Sequence, residues 1–143
     1  MIVVDASIAA KWYLNEPGSA EAAAILTSDA TLLAPALIRI EVTGAILRQF
    51  REGKLSRQRA EEACALWEAD LAASTVQLVP DDTLLEQARA IAFQIRHAIQ
   101  DCLYLAAAVE VGSSRLVTAD PTFHKRAARA FPFVDLQAHA QCQ

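Results

Sequence analysis

The chain has 143 residues, of which 54% are hydrophobic, with 4 glycines, 5 prolines and a formal net charge of −4 at pH 7. This composition is typical of one compact, helix-rich domain, so we predict a single domain over residues 1–143. It argues against nonspecific coating of nucleic acid, and no apolar segment approaches the roughly 18 residues of a membrane span or follows a basic stretch as in a signal peptide.

The chain begins with a short apolar segment, Ile2–Val4, that is followed at once by Asp5. A segment of this kind, bounded by polar residues, is typical of a buried strand. After a turn at Pro17 and Gly18, residues 19–26 have a short helical pattern, and Thr31–Ala34 form the second predicted strand.

Four longer helical patterns and three further strands follow along the chain. Helices are predicted over about residues 35–52 and 57–72 and from Asp81 or Asp82 onward. From Cys102 to Val109 every residue is apolar or a tyrosine, so we expect this last long helix to be buried on nearly all sides. The remaining predicted strands are Val76–Val79, Arg115–Thr118 and Phe133–Leu136.

The alternation of strands and helices predicts a three-layer α/β/α sandwich around a mainly parallel five-stranded sheet. Asp5 stands just past the first predicted strand, and Asp120 stands just past the fourth, in the segment RLVTAD. Sites in open parallel sheets lie beyond the carboxyl ends of the strands, where the strand order reverses. The order 3-2-1-4-5 makes these two strands neighbours at that point, and we predict it.

Two further acids, Glu41 and Asp101, lie on predicted helices among small and apolar residues. Each of the four acids alone has an ordinary explanation, because Asp5, Asp101 and Asp120 could cap helices and Glu41 could reach solvent. Together they indicate a cation site, since converging carboxylates repel one another unless a cation compensates them. Ligands that are all oxygen select hard ions such as Mg²⁺ or Mn²⁺, which commonly serve phosphodiester hydrolysis.

Four segments, in this order and at this spacing, resemble the PIN-domain ribonucleases, and among them the VapC-type toxins of bacterial toxin–antitoxin pairs. They are VVDAS, IEV with Glu41, IQDCLYLAAAVEVG and RLVTAD, and the resemblance covers essentially the whole chain. The resemblance implies a metal site of four acids: Asp5, Glu41, Asp101 and Asp120. It also implies supporting hydrogen bonds from Ser7 and Thr118.

The function that this resemblance implies is that of a Mg²⁺-dependent endoribonuclease, with Mn²⁺ as an alternative ion, in which water activated by the ion hydrolyses RNA. Asp5, Glu41 and Asp101 would hold one ion, and Asp120 would complete the cluster or assist a second ion. The implied partners are a second copy of the chain in a homodimer and a VapB-type antitoxin whose tail covers the active-site groove.

Basic and apolar residues are candidates for contacts with these partners. The candidate RNA contacts are Lys125, Arg126 and Arg129, which follow Asp120 closely. Another basic group around the junction of the two long helices is explained equally well by solvated helix faces: Arg48, Arg51, Lys54, Arg57 and Arg59. We expect the same helices to contact a second copy and the antitoxin through apolar residues: Leu47, Phe50, Trp67 and Leu71.

Neither the cysteines nor the histidines have the spacing of a metal site. The cysteines are Cys64, Cys102 and Cys142, which suggests reduced thiols and a cytoplasmic protein. We interpret the histidines as surface or helix-end residues: His97, His124 and His139.

Two alternatives to the nuclease remain open at this point. A doubly wound phosphatase would also place aspartates at strand ends, but the haloacid dehalogenase type needs a second acid where this chain has Ser7. A catalytically silent PIN-like interaction module would tolerate loss of the acids, and all four are present. Cleavage of labelled RNA with Mg²⁺ separates these alternatives from the nuclease.

Overall fold

The computed structural model describes residues 1–113 and 115–137, and its centre is a five-stranded sheet whose neighbouring strands are all parallel. The strands are β1 (Ile2–Val4), β2 (Leu32–Pro35), β3 (Gln77–Val79), β4 (Arg115–Thr118) and β5 (Val134–Leu136). Their order is β3-β2-β1-β4-β5, which confirms the predicted order 3-2-1-4-5. Two residues interpreted from the sequence, His139 and Cys142, lie outside the residues that the structure describes.

Helices connect the strands and cover the sheet. They are α1 (Ala6–Ala9), α2 (Ser19–Leu26), α3 (Ile38–Arg51), α4 (Arg57–Ala72), α5 (Asp81–Ile95), α6 (Ile99–Val111) and α7 (Pro121–Ala127), with a 3₁₀ turn at Ala10–Trp12 after α1. The chain moves outward from β1 to β3 and then returns across the sheet to β4. Crossovers between parallel strands are right-handed as a rule, so crossovers in these opposite directions place helices on both faces, in agreement with the predicted α/β/α architecture.

Helix α3 begins later than the sequence predicts. Pro35 still belongs to β2, where it pairs with Val79. The next residue, Ala36, donates its N–H to the carbonyl of Val79 at 2.8 Å. A proline is tolerated at such a strand end because its missing N–H costs no ladder bond there, and the helix therefore starts only at Ile38.

Helix α6 packs in the core as its sequence predicts, except that Val109, the last residue of the apolar run, is 40% exposed. It packs across β1, β2 and β4, and all residues from Cys102 to Ala108 are buried. The helix begins at Ile99, three residues before this buried stretch, so Asp101 occupies its first turn. Among the helices of the described chain, none combines the length and the apolar character needed to cross a lipid bilayer.

Two of the acids, Asp5 and Asp120, follow the carboxyl ends of β1 and β4. Asp5 directly follows β1, and its backbone N–H donates to the carbonyl of Val117 in β4 at 3.0 Å. The carboxyl ends of β1 and β4 are therefore side by side, which is the place where parallel sheets form their sites.

Candidate active site

Asp5 is the most buried acid of the site, with 5% of its surface exposed. Its Oδ2 accepts hydrogen bonds from Ser7 Oγ and from Thr118 Oγ1, each at 2.7 Å. Burial, with a smaller effect from the charges of Asp101 and Glu41, raises the pKa of Asp5 to about 6, although these two bonds lower it. Among the described groups that shift the pKa of Asp5, none is a cation, so no positive charge offsets this carboxylate.

Ser7 and Thr118 connect Asp5 to the loop that follows β4. Ser7 Oγ accepts a hydrogen bond from the N–H of Ala119 at 2.9 Å, and Thr118 Oγ1 accepts one from the N–H of Asp120 at 3.0 Å. Each hydroxyl therefore donates to Asp5 and accepts from the backbone. The two residues hold the ends of β1 and β4 in one arrangement.

Glu41 reaches the site from α3 and is held by a tyrosine of α6. Tyr104, whose side chain is fully buried, donates its hydroxyl to Glu41 Oε1 at 2.7 Å. Burial raises the pKa of Glu41, and the charges of Asp101 and Asp81 add to the effect, while the Tyr104 bond opposes it. Glu41 is therefore half-buried, lines the groove and lies near other carboxylates.

Asp101 lies in the first turn of α6 and is bonded to a histidine. Its Oδ2 lies 2.5 Å from His97 Nε2. His97 stands at a helix end, between α5 and α6, as one of the two expected alternatives had it, but it is not a surface residue, because only 11% of its side chain is exposed. Its ring stacks on Phe123 of α7, with 5.3 Å between ring centroids. In the sequence, the only sign of this contact is that His97 stands four residues before Asp101, the spacing of neighbours on a helix face. Because His97 precedes α6, the helical pattern did not include it.

Asp120 caps helix α7. Its Oδ1 accepts hydrogen bonds from the N–H groups of Thr122 and Phe123, at 2.9 and 3.2 Å. This is the ordinary role that the sequence left open for it. Asp120 also lines the same groove as Ser7 and Glu41, a cavity of about 530 Å³.

The basic residues of this groove are paired with glutamates. Lys54 and Arg48 both contact Glu52, at 3.0 and 3.1 Å. Lys11 contacts Glu16 at 3.2 Å and lies against the same groove. The groove therefore carries both signs of charge close to the acids.

The donor set suits a hard divalent cation. The charge of Asp101 contributes to the raised pKa of both Asp5 and Glu41, and the charge of Glu41 contributes to that of Asp5, which is the repulsion that a bound cation relieves. One oxygen of each of these acids is engaged by a side chain, and oxygen ligands are those that Mg²⁺ and Mn²⁺ prefer. Within residues 1–113 and 115–137, no three Asp, Glu, His or Cys side chains already stand together as a ligand group.

Two of the candidate RNA contacts, Lys125 and Arg126, lie on α7, and the third, Arg129, follows its end. Lys125 and Arg126 line a cavity of about 500 Å³ with Pro121 and Thr122, and Arg129 is exposed. Arg126 donates a hydrogen bond from Nη1 to the carbonyl of Arg96. This side chain therefore also ties α7 to the end of α5.

The apolar surface of α3 and α4 differs from the prediction at one residue. Leu47 and Phe50 are exposed, at 43% and 42%, and line a cavity of about 480 Å³ with residues of α4. Trp67 is 1% exposed and donates Nε1–H to the carbonyl of Arg39. It belongs to the core because the apolar stripe of α4 faces α3 at this position, so it is unavailable to a partner.

The family is identified by comparison with known proteins. The family model of the PIN domain matches residues 2–129. The fold is similar to the crystal structure of Mycobacterium tuberculosis VapC20, described as a sarcin–ricin loop cleaving toxin, with a TM-score of 0.67 and 17% identity over 98% of this chain and 100% of that chain. No sequence of a curated protein matches this chain. The match of the family model over most of the chain confirms the resemblance seen in the motifs, and the chain belongs to the PIN domain family.

Proposed function

We propose that this protein is a metal-dependent endoribonuclease and the toxin of a toxin–antitoxin pair, formed by one nuclease domain over residues 1–143. The observation that carries the proposal is the buried Asp5 with Glu41 and Asp101 near it. Burial, together with the charges of these two acids, raises the pKa of Asp5 to about 6. Membership of the PIN domain family and a fold similar to a VapC toxin support it.

Asp5, Glu41 and Asp101 would hold one divalent ion, Mg²⁺ or alternatively Mn²⁺. Asp120, across the groove, would complete this set or assist a second ion while its Oδ1 remains the cap of α7. A divalent ion in such a site polarises the phosphoryl group and activates water.

The remaining site residues fix the orientation of these acids. Ser7 and Thr118 both bond Oδ2 of Asp5, so its Oδ1 is the oxygen left for a ligand. Tyr104 bonds Oε1 of Glu41 in the same way. Hydrogen bonds that fix carboxylates before a ligand arrives reduce the reorganisation needed for binding and for the reaction.

RNA would bind along the groove at the carboxyl ends of β1 and β4. Lys125 and Arg126 lie on α7, Arg129 follows the end of that helix, and all three would contact phosphates outside the acidic centre. Their positive charge would offset the repulsion between the acids and the RNA backbone.

The proposed partners follow from the same function. We propose a cytoplasmic homodimer and a VapB-type antitoxin that covers the groove. Exposed Leu47 and Phe50, with the cavity beside them, supply apolar surface for one of these contacts. A doubly mutated chain, with Leu47→Ser and Phe50→Ser, should bind a second copy or the antitoxin more weakly, as measured by light scattering and titration calorimetry. Unchanged binding to both would exclude this surface.

Cleavage of labelled RNA tests the activity. The RNA panel includes a sarcin–ricin hairpin, because the structurally similar toxin cleaves that loop. The wild type should cut with Mg²⁺, stop when a chelator is added and recover with Mn²⁺. Asp5→Asn should reduce the rate by at least about 100-fold, since it removes a ligand charge but little volume.

Glu110→Gln is the matched control, because Glu110 is an exposed acid at the far end of α6. It should cut at the wild-type rate. Equal rates for Asp5→Asn and the wild type would mean that these acids do not form the active site. An inactive wild type across the whole RNA panel would favour the silent interaction module.

A further inference from the structure

His97 has contacts that a surface histidine does not have. Its Nε2 lies 2.5 Å from Asp101 Oδ2, and its ring stacks on Phe123 at an interplanar angle of 18°. Phe123 is itself fully buried, so the imidazole lies between a fixed aromatic ring and a carboxylate. We propose that His97 is a positioning residue that holds Asp101 in the orientation needed to bind the divalent ion, an inference that rests on the proposed nuclease function.

The backbone around His97 is held by both neighbouring helices. Arg96 ends α5 in the left-handed region, with φ of 55°, and its carbonyl accepts a hydrogen bond from Arg126 of α7. Cys102 of α6 approaches the carbonyl of His97, with its Sγ at 3.9 Å. A left-handed, non-glycine residue is maintained only where its surroundings fix it. The imidazole is therefore placed by tertiary structure.

The direction of the hydrogen bond follows from the acceptor. An ionised carboxylate can only accept, so Nε2 of His97 carries the proton and donates to Oδ2 of Asp101. This bond fixes the orientation of the carboxylate and therefore of its second oxygen, Oδ1. The metal ion can bind Oδ1 without breaking the bond between Oδ2 and His97. This reverses the familiar arrangement in which a carboxylate orients a metal-bound histidine.

The three acids of the site share this arrangement. Asp5 has Oδ2 bonded by Ser7 and Thr118, and Glu41 has Oε1 bonded by Tyr104. Asp101 has Oδ2 bonded by His97. In each acid, a hydrogen-bond donor fixes one carboxylate oxygen and leaves the other oxygen for the ion. His97 thus completes a set of donors behind the carboxylates.

Two variants separate the hydrogen bond from the packing. His97→Phe keeps an aromatic ring that can stack on Phe123 but has no N–H to donate. His97→Gln lacks the ring but carries an amide nitrogen at about the position of Nε2. Affinity for Mn²⁺ alone is measured by titration calorimetry on the folded proteins, with Asp101→Asn as the ligand variant and Glu110→Gln as the control.

We expect His97→Phe to bind Mn²⁺ about tenfold more weakly than the wild type, with His97→Gln and Glu110→Gln near the wild-type affinity. In RNA cleavage at a fixed Mn²⁺ concentration below saturation, His97→Phe should lower kcat and leave KM for RNA unchanged. If His97→Phe does not fold, His97→Asn replaces it, because its shorter amide does not reach Asp101.

The outcomes separate this inference from the proposed function. Wild-type Mn²⁺ affinity in folded His97→Phe, with weak binding in Asp101→Asn, would overturn the role of His97 and leave the metal site standing. Equal weakening in His97→Phe and His97→Gln would also overturn it, since packing and not the N–H would be responsible. No Mn²⁺ binding by the wild type, or undiminished binding by Asp101→Asn, would overturn both.

Discussion

At the scale of single residues, Asp5 combines burial with negative charge, and this predicts a pH dependence. Its folded pKa is about 6, above its ordinary value of 3.8, so protonation favours the folded state. This contribution is complete below pH 4 and is lost as the pH rises through 6. In chelator, the free energy of unfolding of the wild type should therefore increase between pH 7.5 and pH 5 by about 1.4 kcal/mol from Asp5, roughly half of its full contribution of about 3 kcal/mol.

Asp5→Asn isolates this contribution. The variant has no carboxyl group to titrate at that position, so its unfolding free energy should rise less over the same pH interval. Urea unfolding of both proteins in chelator at several pH values makes the comparison. Parallel curves for the two proteins would show that Asp5 titrates normally in the fold.

Thr118 is the second residue whose role is testable by one substitution. It is fully buried, and its hydroxyl donates to Asp5 and accepts from the N–H of Asp120. Thr118→Val keeps the shape but leaves both partners without this hydroxyl, so the free energy of unfolding should fall by about 1–3 kcal/mol. Urea unfolding at pH 7.5 measures the loss.

The control for Thr118 is Thr27→Val. Thr27 is exposed, and its hydroxyl bonds only helix carbonyls of α2. Its replacement should change the free energy of unfolding by no more than about 0.5 kcal/mol. An equal, small effect at Thr118 would mean that water replaces the hydroxyl and that the two strand ends are held by other contacts.

At the scale of secondary-structure elements, α6 determines how the sheet is covered. Leu105 lies in the middle of this helix, fully buried against the sheet. Leu105→Ala should lower the free energy of unfolding by about 2–5 kcal/mol, because it leaves a cavity in the centre of the core. Leu66→Ala, at a position that is 61% exposed on α4, is the matched control and should be nearly neutral. Equal losses in the two variants would contradict the central place of α6.

Elements and their order were predictable from the sequence, and particular contacts were not. The apolar run of α6 and the aspartates after β1 and β4 are local patterns, and together with the rule on strand ends they predict the sheet order. The stripe of α4 shows that Trp67 is apolar, but not that α3 covers it. Likewise the link from His97 to Asp101 and Phe123 depends on how α5, α6 and α7 meet. Such contacts are tertiary, so no pattern within one element contains them.

The two roles considered for Asp120 show the same limit of prediction from sequence at the site. An aspartate before proline at the start of a helix is typical of an N-cap, and Asp120 has that role. The sequence motif also assigns it to the metal site, where it remains a prediction. Its Oδ1 forms the cap, and the residue lines the groove that Glu41 also lines, so the predicted metal role would use the other oxygen of the same side chain.

At the scale of the whole molecule, the proposed metal site predicts that metal binding and folding are linked. Without a metal ion, Asp5, Glu41 and Asp101 repel one another, which lowers the free energy of unfolding. An ion that binds only the folded chain adds about 1.4 kcal/mol at ten times its dissociation constant. The wild type should therefore melt at a higher temperature with Mg²⁺ than with chelator.

Asp101→Asn should show the opposite balance in thermal melts. The amide removes one repulsive charge, so the variant should melt above the wild type in chelator, although its bond with His97 changes from a charged to a neutral acceptor. With millimolar Mg²⁺ the order should reverse, because the variant has lost a ligand and gains little from the ion. Glu110→Gln should follow the wild type under both conditions. If Mg²⁺ leaves the wild type unchanged and Asp101→Asn is destabilised in chelator, the carboxylate of Asp101 serves only the fold, through the dipole of α6 and its bond to His97.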